Sequence, residues 1–251
     1  FFGAATGGEL LVYGGIATVG FGLVGMLASQ GLARLAGYSL LVSSGTLLAV
    51  IGTGDTAATA AALYYLLAST LGVGAFYLLI ELVERAREPG ADILAVTAAA
   101  FLGAEEDEAP AQEVGVAIPA TMALLGLSYA CCALLIAGLP PLPAFVAKFA
   151  MLGALLAPDP VPGSAWLLLA LLSLSGLAAI IAMGRAGVRI FWATQRSVPR
   201  VRVIEMAPVA LLLGLCLALT VAAGPALRYL QDTAQALHAP GAYIEGVLGR
   251  R

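Results

Sequence analysis

Six apolar runs, each close to or above the ~20 residues that cross ~30 Å of hydrocarbon, leave this chain very few folds. Within lipid no water satisfies backbone N–H and C=O groups, so a spanning segment has to close its own hydrogen bonds. The expected fold is therefore all-α, a polytopic transmembrane bundle of about six spans. Composition agrees: 61% of the 251 residues are hydrophobic and 11% charged, against about 25% charged in soluble domains. The mean hydropathy is +0.99. The spans fall at about 9–29, 35–51, 57–83, 114–157, 165–191 and 206–229, giving a membrane domain over 1–229 and a more polar, peripheral tail over 230–251.

The fourth run contains LLIAGLPPLPAFVAKFAMLGAL, from Leu134 to Leu155. Gly138, Pro140, Pro141 and Pro143 withhold or disturb backbone hydrogen bonds, so the helix is expected to break near 138–143 and to hand those groups to protein or trapped water. Lys148, the single lysine of the chain, follows directly. A lysine near mid-membrane costs about 2.5–3.5 kcal/mol on insertion scales and normally faces a protein interior or a wet path, which makes it a functional candidate. The structural alternative is a stem that snorkels to the interface beside a packing kink. Desolvation lowers a lysine's pKa and a nearby carboxylate raises it, so a buried amine can gain and lose a proton as its partners change. No acidic residue lies in the body of this run.

Elsewhere the chain offers no rival chemistry. His238 and the cysteines Cys131, Cys132 and Cys216 have no metal-ligand spacing and no redox pairing, and the cysteines read as small buried hydrophobes. No cofactor is called for. The first run, with Gly14, Gly15, Gly20, Gly22 and Gly25, reads as a closely packed interior helix. The second carries Tyr38, Ser39, Ser43, Ser44 and Thr46 on a mildly polar face suited to interhelical hydrogen bonds; no histidine or cysteine is near to activate a serine. Gly52 to Asp55 forms a turn, with Asp55 or Thr56 as helix N-cap. Glu81 and Arg85 have the spacing of a surface ion pair.

The connection 84–113 clusters Glu105, Glu106, Asp107 and Glu108. It lacks the spaced ligands and central glycine of a calcium loop and reads as a solvated acidic loop. Ile93 to Leu102 is too short to span and is expected along the interface. The net charge of −3 comes largely from this loop, so neither nucleic acid nor an acidic membrane surface is suggested as a partner. Trp166 and Trp192 stand at the ends of the fifth run as interface anchors, and Pro208 falls in the first turn of the sixth. Arg34, then Arg85 and Arg87, then Arg185, Arg189, Arg196, Arg200 and Arg202 occupy alternate connections, which the positive-inside rule makes cytoplasmic. Arg228, Arg250 and Arg251 fit that orientation less well. With no basic region before the first run, the chain, opening on Phe1, is expected to begin partway through a larger polypeptide.

GLPPLPAFVAKF resembles the LPPLSGFxxKF-type motif of the antiporter-like subunits shared by multi-subunit Mrp sodium/proton antiporters and respiratory complex I. LARLAGYSLLVSSG and ALYYLLASTLGVGAFYLL resemble two preceding helices of that family, and AYIEGVLG is more similar to D-type subunits of the Mrp complex. The resemblance covers essentially the whole chain but only the C-terminal half of a fourteen-helix fold. It implies a discontinuous helix whose lysine, here Lys148, is a station on a proton route, with the route's other principal charges on earlier helices. It also implies partner subunits in a hetero-oligomeric complex, protons and sodium ions as cargo, and a bacterial inner membrane around it. The chain departs from the family at Ala33, where a basic residue is usual beside Arg34, at Ala68, Ser69 and Val73, where histidine and lysine are usual, and at Ala144, where glycine is usual.

A polar path through the third span would then rest on water and on Ser69 or Thr70, or not exist; Tyr38, Ser43 and Ser128 on neighbouring runs are further polar-path candidates. Three readings stand at this point: a D-type antiporter subunit relaying protons through Lys148, a membrane-arm subunit of complex I or a related hydrogenase, and a transport-silent membrane scaffold. None is an enzyme in its own right.

Overall fold

A computed structural model describes residues 4–85, 120–191, 203–239 and 241. The described residues form eight α-helices and no strand: α1 (Ala4–Ala28), α2 (Leu32–Gly52), α3 (Thr56–Arg85), α4 (Ala120–Ala137), α5 (Pro143–Leu155), α6 (Gly163–Phe191), α7 (Val203–Val221) and α8 (Ala223–His238). The acidic cluster 105–108, the segment 93–102, Trp192, Arg87, Arg196, Arg200, Arg202, Arg250, Arg251 and AYIEGVLG lie outside the described residues, as does the Arg85 side chain.

Four helices, α1, α2, α3 and α6, are each long and apolar enough to cross a membrane. At 1.5 Å per residue, α6 is about 43 Å long, while α5 reaches only about 20 Å and cannot cross alone. Helices α4 and α5 are two shorter apolar helices separated by residues 138–142. The pair α7 and α8 passes the same test only jointly and bends by 80°. Pro208 lies inside α7 rather than in its first turn, because the helix starts three residues earlier than the apolar run; at this depth the proline removes a single early hydrogen bond.

Packing explains four of the glycines of α1. A Cβ on Gly8 would meet the Gly52 carbonyl oxygen at 2.8 Å, and one on Gly22 would meet Val42 Cγ2 at 2.8 Å. Gly15 lies against Gly45 and Ala49, and Gly25 against the Tyr38 ring. Gly8, Gly15 and Gly22 recur every seven residues and so share one helix face, along which α2 docks backbone to backbone. Gly14 and Gly20 face open space, and Tyr13, Phe21 and Val24 are exposed, so α1 packs along one face rather than as the interior helix its glycines suggest.

The third helix is the hub, packing on α2, α4, α5, α7 and α8. Its start is capped by Asp55, whose Oδ2 accepts from the Ala58 N–H at 2.7 Å. Tyr64 donates to the Leu219 carbonyl at 2.9 Å, pinning α7 just before its bend. His238 Nε2 sits 3.1 Å from Thr59 Oγ1, which brings the end of α8 to the start of α3. At the opposite end of the bundle, Arg185 donates to the carbonyls of Leu27 and Ser29, and Arg189 to that of Gln30. The end of α6 and the α1–α2 connection therefore share one end of the bundle.

Two large buried clusters fill the interior. One gathers Met26, Leu35, Phe76, Leu79, Tyr129 and Met183. The other gathers Val50, Tyr64, Tyr65, Met151, Leu155 and Leu168. Ala137, at the end of α4, belongs to the first and Ala147 of α5 to the second, while Leu135 and Leu142, on either side of Gly138, join Cys216 in a small third cluster.

Candidate functional site

Helix α4 stops at Gly138 because this residue turns left-handed, with φ +73°, a conformation that costs a side-chain-bearing residue about 1–2 kcal/mol. The turn closes with the Leu139 N–H donating to the Leu134 carbonyl at 3.1 Å and the Gly138 N–H shared between the Leu134 and Leu135 carbonyls at 3.0 and 3.2 Å, the pattern of a glycine C-cap. Pro140 and Pro141 follow as exposed turn residues. Pro143 opens α5 at a position where its missing N–H costs nothing, behind the extended Leu142.

The cap leaves the Ala137 carbonyl to find another donor. Lys148, half-buried one turn into α5, supplies it: Nζ lies 3.2 Å from the Ala137 oxygen. A Cβ on Gly138 would stand 2.9 Å from Lys148 Nζ, and one on Gly176 of α6 would stand 3.0 Å from the Ala137 oxygen. Two residues without side chains thus clear room for one amine and one carbonyl. The partner is a main-chain oxygen, which stabilises the ammonium without neutralising it.

Beside the break lies a cavity of about 20 Å³, room for about one water. Its polar lining comes from Ser39 and Ser43 of α2, Tyr65 and Ser69 of α3, and Ser175 of α6. Ala144 and Ile136 also line it; the first is one turn before Lys148 and the second adjoins Ala137. Ser43 Oγ and the Tyr65 hydroxyl are 3.2 Å apart. Ser39 and Ser175 donate to the carbonyls of Ala36 and Leu172 at 2.7 and 2.8 Å.

The structure gathers only some of the residues that the sequence singles out. Ser43 and Ser69 line the cavity. Tyr38 turns toward α1, its ring 6.2 Å from that of Phe21. Thr70 is exposed, and Ser128 is buried in α4 away from the cavity. Tyr65 and Ser175 join the site without having stood out in the sequence, and Ser39 joins it although its expected role is packing alone. The available signal is helical spacing: Tyr65, Ser69 and Gly72 fall at i, i+4 and i+7 of one face, as Ser39 and Ser43 do at i and i+4. Among the described residues no cluster of His, Cys, Asp and Glu is placed to hold a metal ion.

The chain is 54% identical to a protein of Rhizobium meliloti that is named the probable D-type subunit of a K(+)/H(+) antiporter, over 98% of this chain and 48% of that protein. It is 25% identical to the D-type subunit of the Na(+)/H(+) antiporter of Bacillus subtilis, over 96% of this chain and 44% of the relative. The chain thus spans about half the length of the curated relatives it matches. Its fold is shared with a chain of the Mrp complex from a Dietzia species, at a TM-score of 0.74 and 17% identity over 97% of this chain and 50% of that one. A chain of respiratory complex I from Thermus thermophilus follows at a TM-score of 0.60 and 23% identity, covering 90% of this chain and 46% of the other. No family model matches.

Proposed function

This chain belongs to the family of D-type antiporter subunits, among the antiporter-like membrane proteins, and from that premise we propose that it forms part of a proton path in a multi-subunit cation/proton antiporter, with Lys148 as the residue that takes up and releases the proton. It is a transporter component rather than an enzyme, sits in a bacterial inner membrane and works with further membrane subunits. The observation that carries the reading is the amine of Lys148 at the helix break, bonded to the freed Ala137 carbonyl at 3.2 Å. A backbone carbonyl accepts from a charged or a neutral amine, so the amine can change protonation state without losing its anchor. A lysine in such surroundings is the kind of side chain whose proton affinity responds to changes in neighbouring charge.

The relative at 54% identity is named for potassium and the one at 25% for sodium. The assembled complex is accordingly read as exchanging a monovalent cation for protons, with potassium the first cation to assay and sodium the second. The antiporter reading is preferred to a complex I role because the 54% relationship is to an antiporter component, whereas complex I is matched at 23% through its fold.

The test is Lys148→Ala in the whole complex, assayed in everted vesicles with potassium and with sodium. Exchange is expected to vanish while the subunits still copurify. Exchange at the normal rate would remove Lys148 from the path and leave the scaffold reading standing.

A further inference from the structure

The cavity beside the break holds a pair of hydroxyls that the lysine reading does not use. Ser43 and Tyr65 are 8% and 4% exposed, lie 3.2 Å apart, and both line the cavity. Each of the other two buried serines there, Ser39 and Ser175, donates its one hydroxyl proton to a carbonyl of its own helix. Between Ser43 and Tyr65 the bond runs hydroxyl to hydroxyl, and either oxygen can be the donor. A hydroxyl accepts on a lone pair while giving up its own proton, so such a pair can hand a proton on without either side chain holding a charge.

The position is favourable. Helix α3 packs on both α2 and α5, and Tyr65, bonded to Ser43 of α2, shares a buried cluster with Ala147, the neighbour of Lys148 on α5. The cavity reaches Ala144 and Ile136, one turn before Lys148 and one residue before its carbonyl partner. With room for about one water and several hydroxyls around it, the cavity meets the size and polarity that an internal water needs.

We propose that Ser43, Tyr65 and one cavity water form a neutral hydroxyl relay that carries protons to and from Lys148. The proposal rests on the role of Lys148 given above. A proton arriving at Ser43 Oγ forms an O–H bond there as the original Ser43 proton passes to the Tyr65 oxygen. The Tyr65 proton passes to the water, and a proton of the water passes to the neutral amine, which becomes ammonium. One proton enters and one is bound, and rotation of the hydroxyls and the water resets the chain.

Tyr65→Phe keeps the ring and deletes the hydroxyl. In the whole complex in everted vesicles, the initial rate of cation/proton exchange is expected to fall about tenfold or more, toward the range by which positioned proton-transfer groups act, with subunit assembly unchanged. The solvent isotope effect on exchange, measured in H2O and D2O, is expected to change with it, because the hydroxyl transfers no longer carry the flux. Ser43→Ala is expected to give a smaller loss, since a second water can occupy the vacated space.

An unchanged rate in Tyr65→Phe overturns the relay. A lowered rate with an unchanged isotope effect also overturns it, assigning Tyr65 to packing. If Tyr65→Phe does not assemble, Ser43→Ala is judged by the same two readouts. Loss of exchange in Lys148→Ala with a normal Tyr65→Phe removes the relay alone, whereas normal exchange in Lys148→Ala removes the reading on which it rests.

Discussion

Lys148 and Ala137 are eleven residues apart and joined across the helix break, the Nζ donating to the carbonyl over 3.2 Å. The bond uses one of three ammonium donors and exists because Gly138 ends α4 one residue after Ala137. It also depends on Gly176, which lets α6 approach the same oxygen. The break, the amine and the neighbouring helix form one arrangement, in which a change at any member reaches the others.

Gly138→Ala probes that arrangement directly. The left-handed backbone at this residue disfavours alanine by about 1–2 kcal/mol, and the new methyl would stand 2.9 Å from Lys148 Nζ, pushing the amine off its carbonyl. The thermal unfolding temperature of the detergent-solubilised complex should drop, and exchange should fall further than the stability loss accounts for. Normal exchange would mean that the lysine does not need its carbonyl.

Gly45→Ala tests the α1–α2 seam. Its Cβ would lie 2.9 Å from both the Gly15 carbonyl oxygen and the Val19 nitrogen, main-chain atoms that cannot move alone, so a loss of about 1–3 kcal/mol is expected. Gly20→Ala, with open space around it, is the control and should be neutral or slightly stabilising. Equal losses in the two variants would argue against backbone-to-backbone packing there.

Arg185→Ala removes donors to the carbonyls of Leu27 and Ser29 at the end of α1. Because Arg185 is exposed, the expected loss is at the low end for such bonds, about 1 kcal/mol, increased by adding Arg189→Ala. Protease sensitivity at the α1–α2 connection should rise in the double variant. Unaltered cleavage there would show the arginines to be surface charges without an anchoring role.

Orientation can be read by labelling. In a variant lacking Cys131, Cys132 and Cys216, a cysteine at Asp159 should react with a membrane-impermeant maleimide from outside intact cells. A cysteine at Gln30 should react only after permeabilisation, since the arginine-bearing connections are expected in the cytoplasm. Both positions are exposed in the structure, and reversed labelling would invert the orientation.

Much of this protein was written in its residue pattern. Continuous apolar runs allow only helices in lipid, Gly138 with three following prolines forces a break in any helix that contains them, and a single lysine in such a run stands out whatever surrounds it. These are local properties, carried by backbone chemistry and side-chain type, and they needed no neighbour to be legible. Which polar groups would meet at the break was not local. Tyr38 and Tyr65 sit in similar apolar runs, yet Tyr38 packs on Gly25 and Phe21 of α1, while Tyr65 turns inward to Ser43 and the cavity. Thr70, one residue from Ser69, is exposed, because a step of one residue turns a helix side chain by about 100°. The partner of Lys148 was equally hidden: a main-chain oxygen has no letter in the sequence, and only the closeness of α4, α5 and α6 around Gly138 and Gly176 decided that the amine would find it.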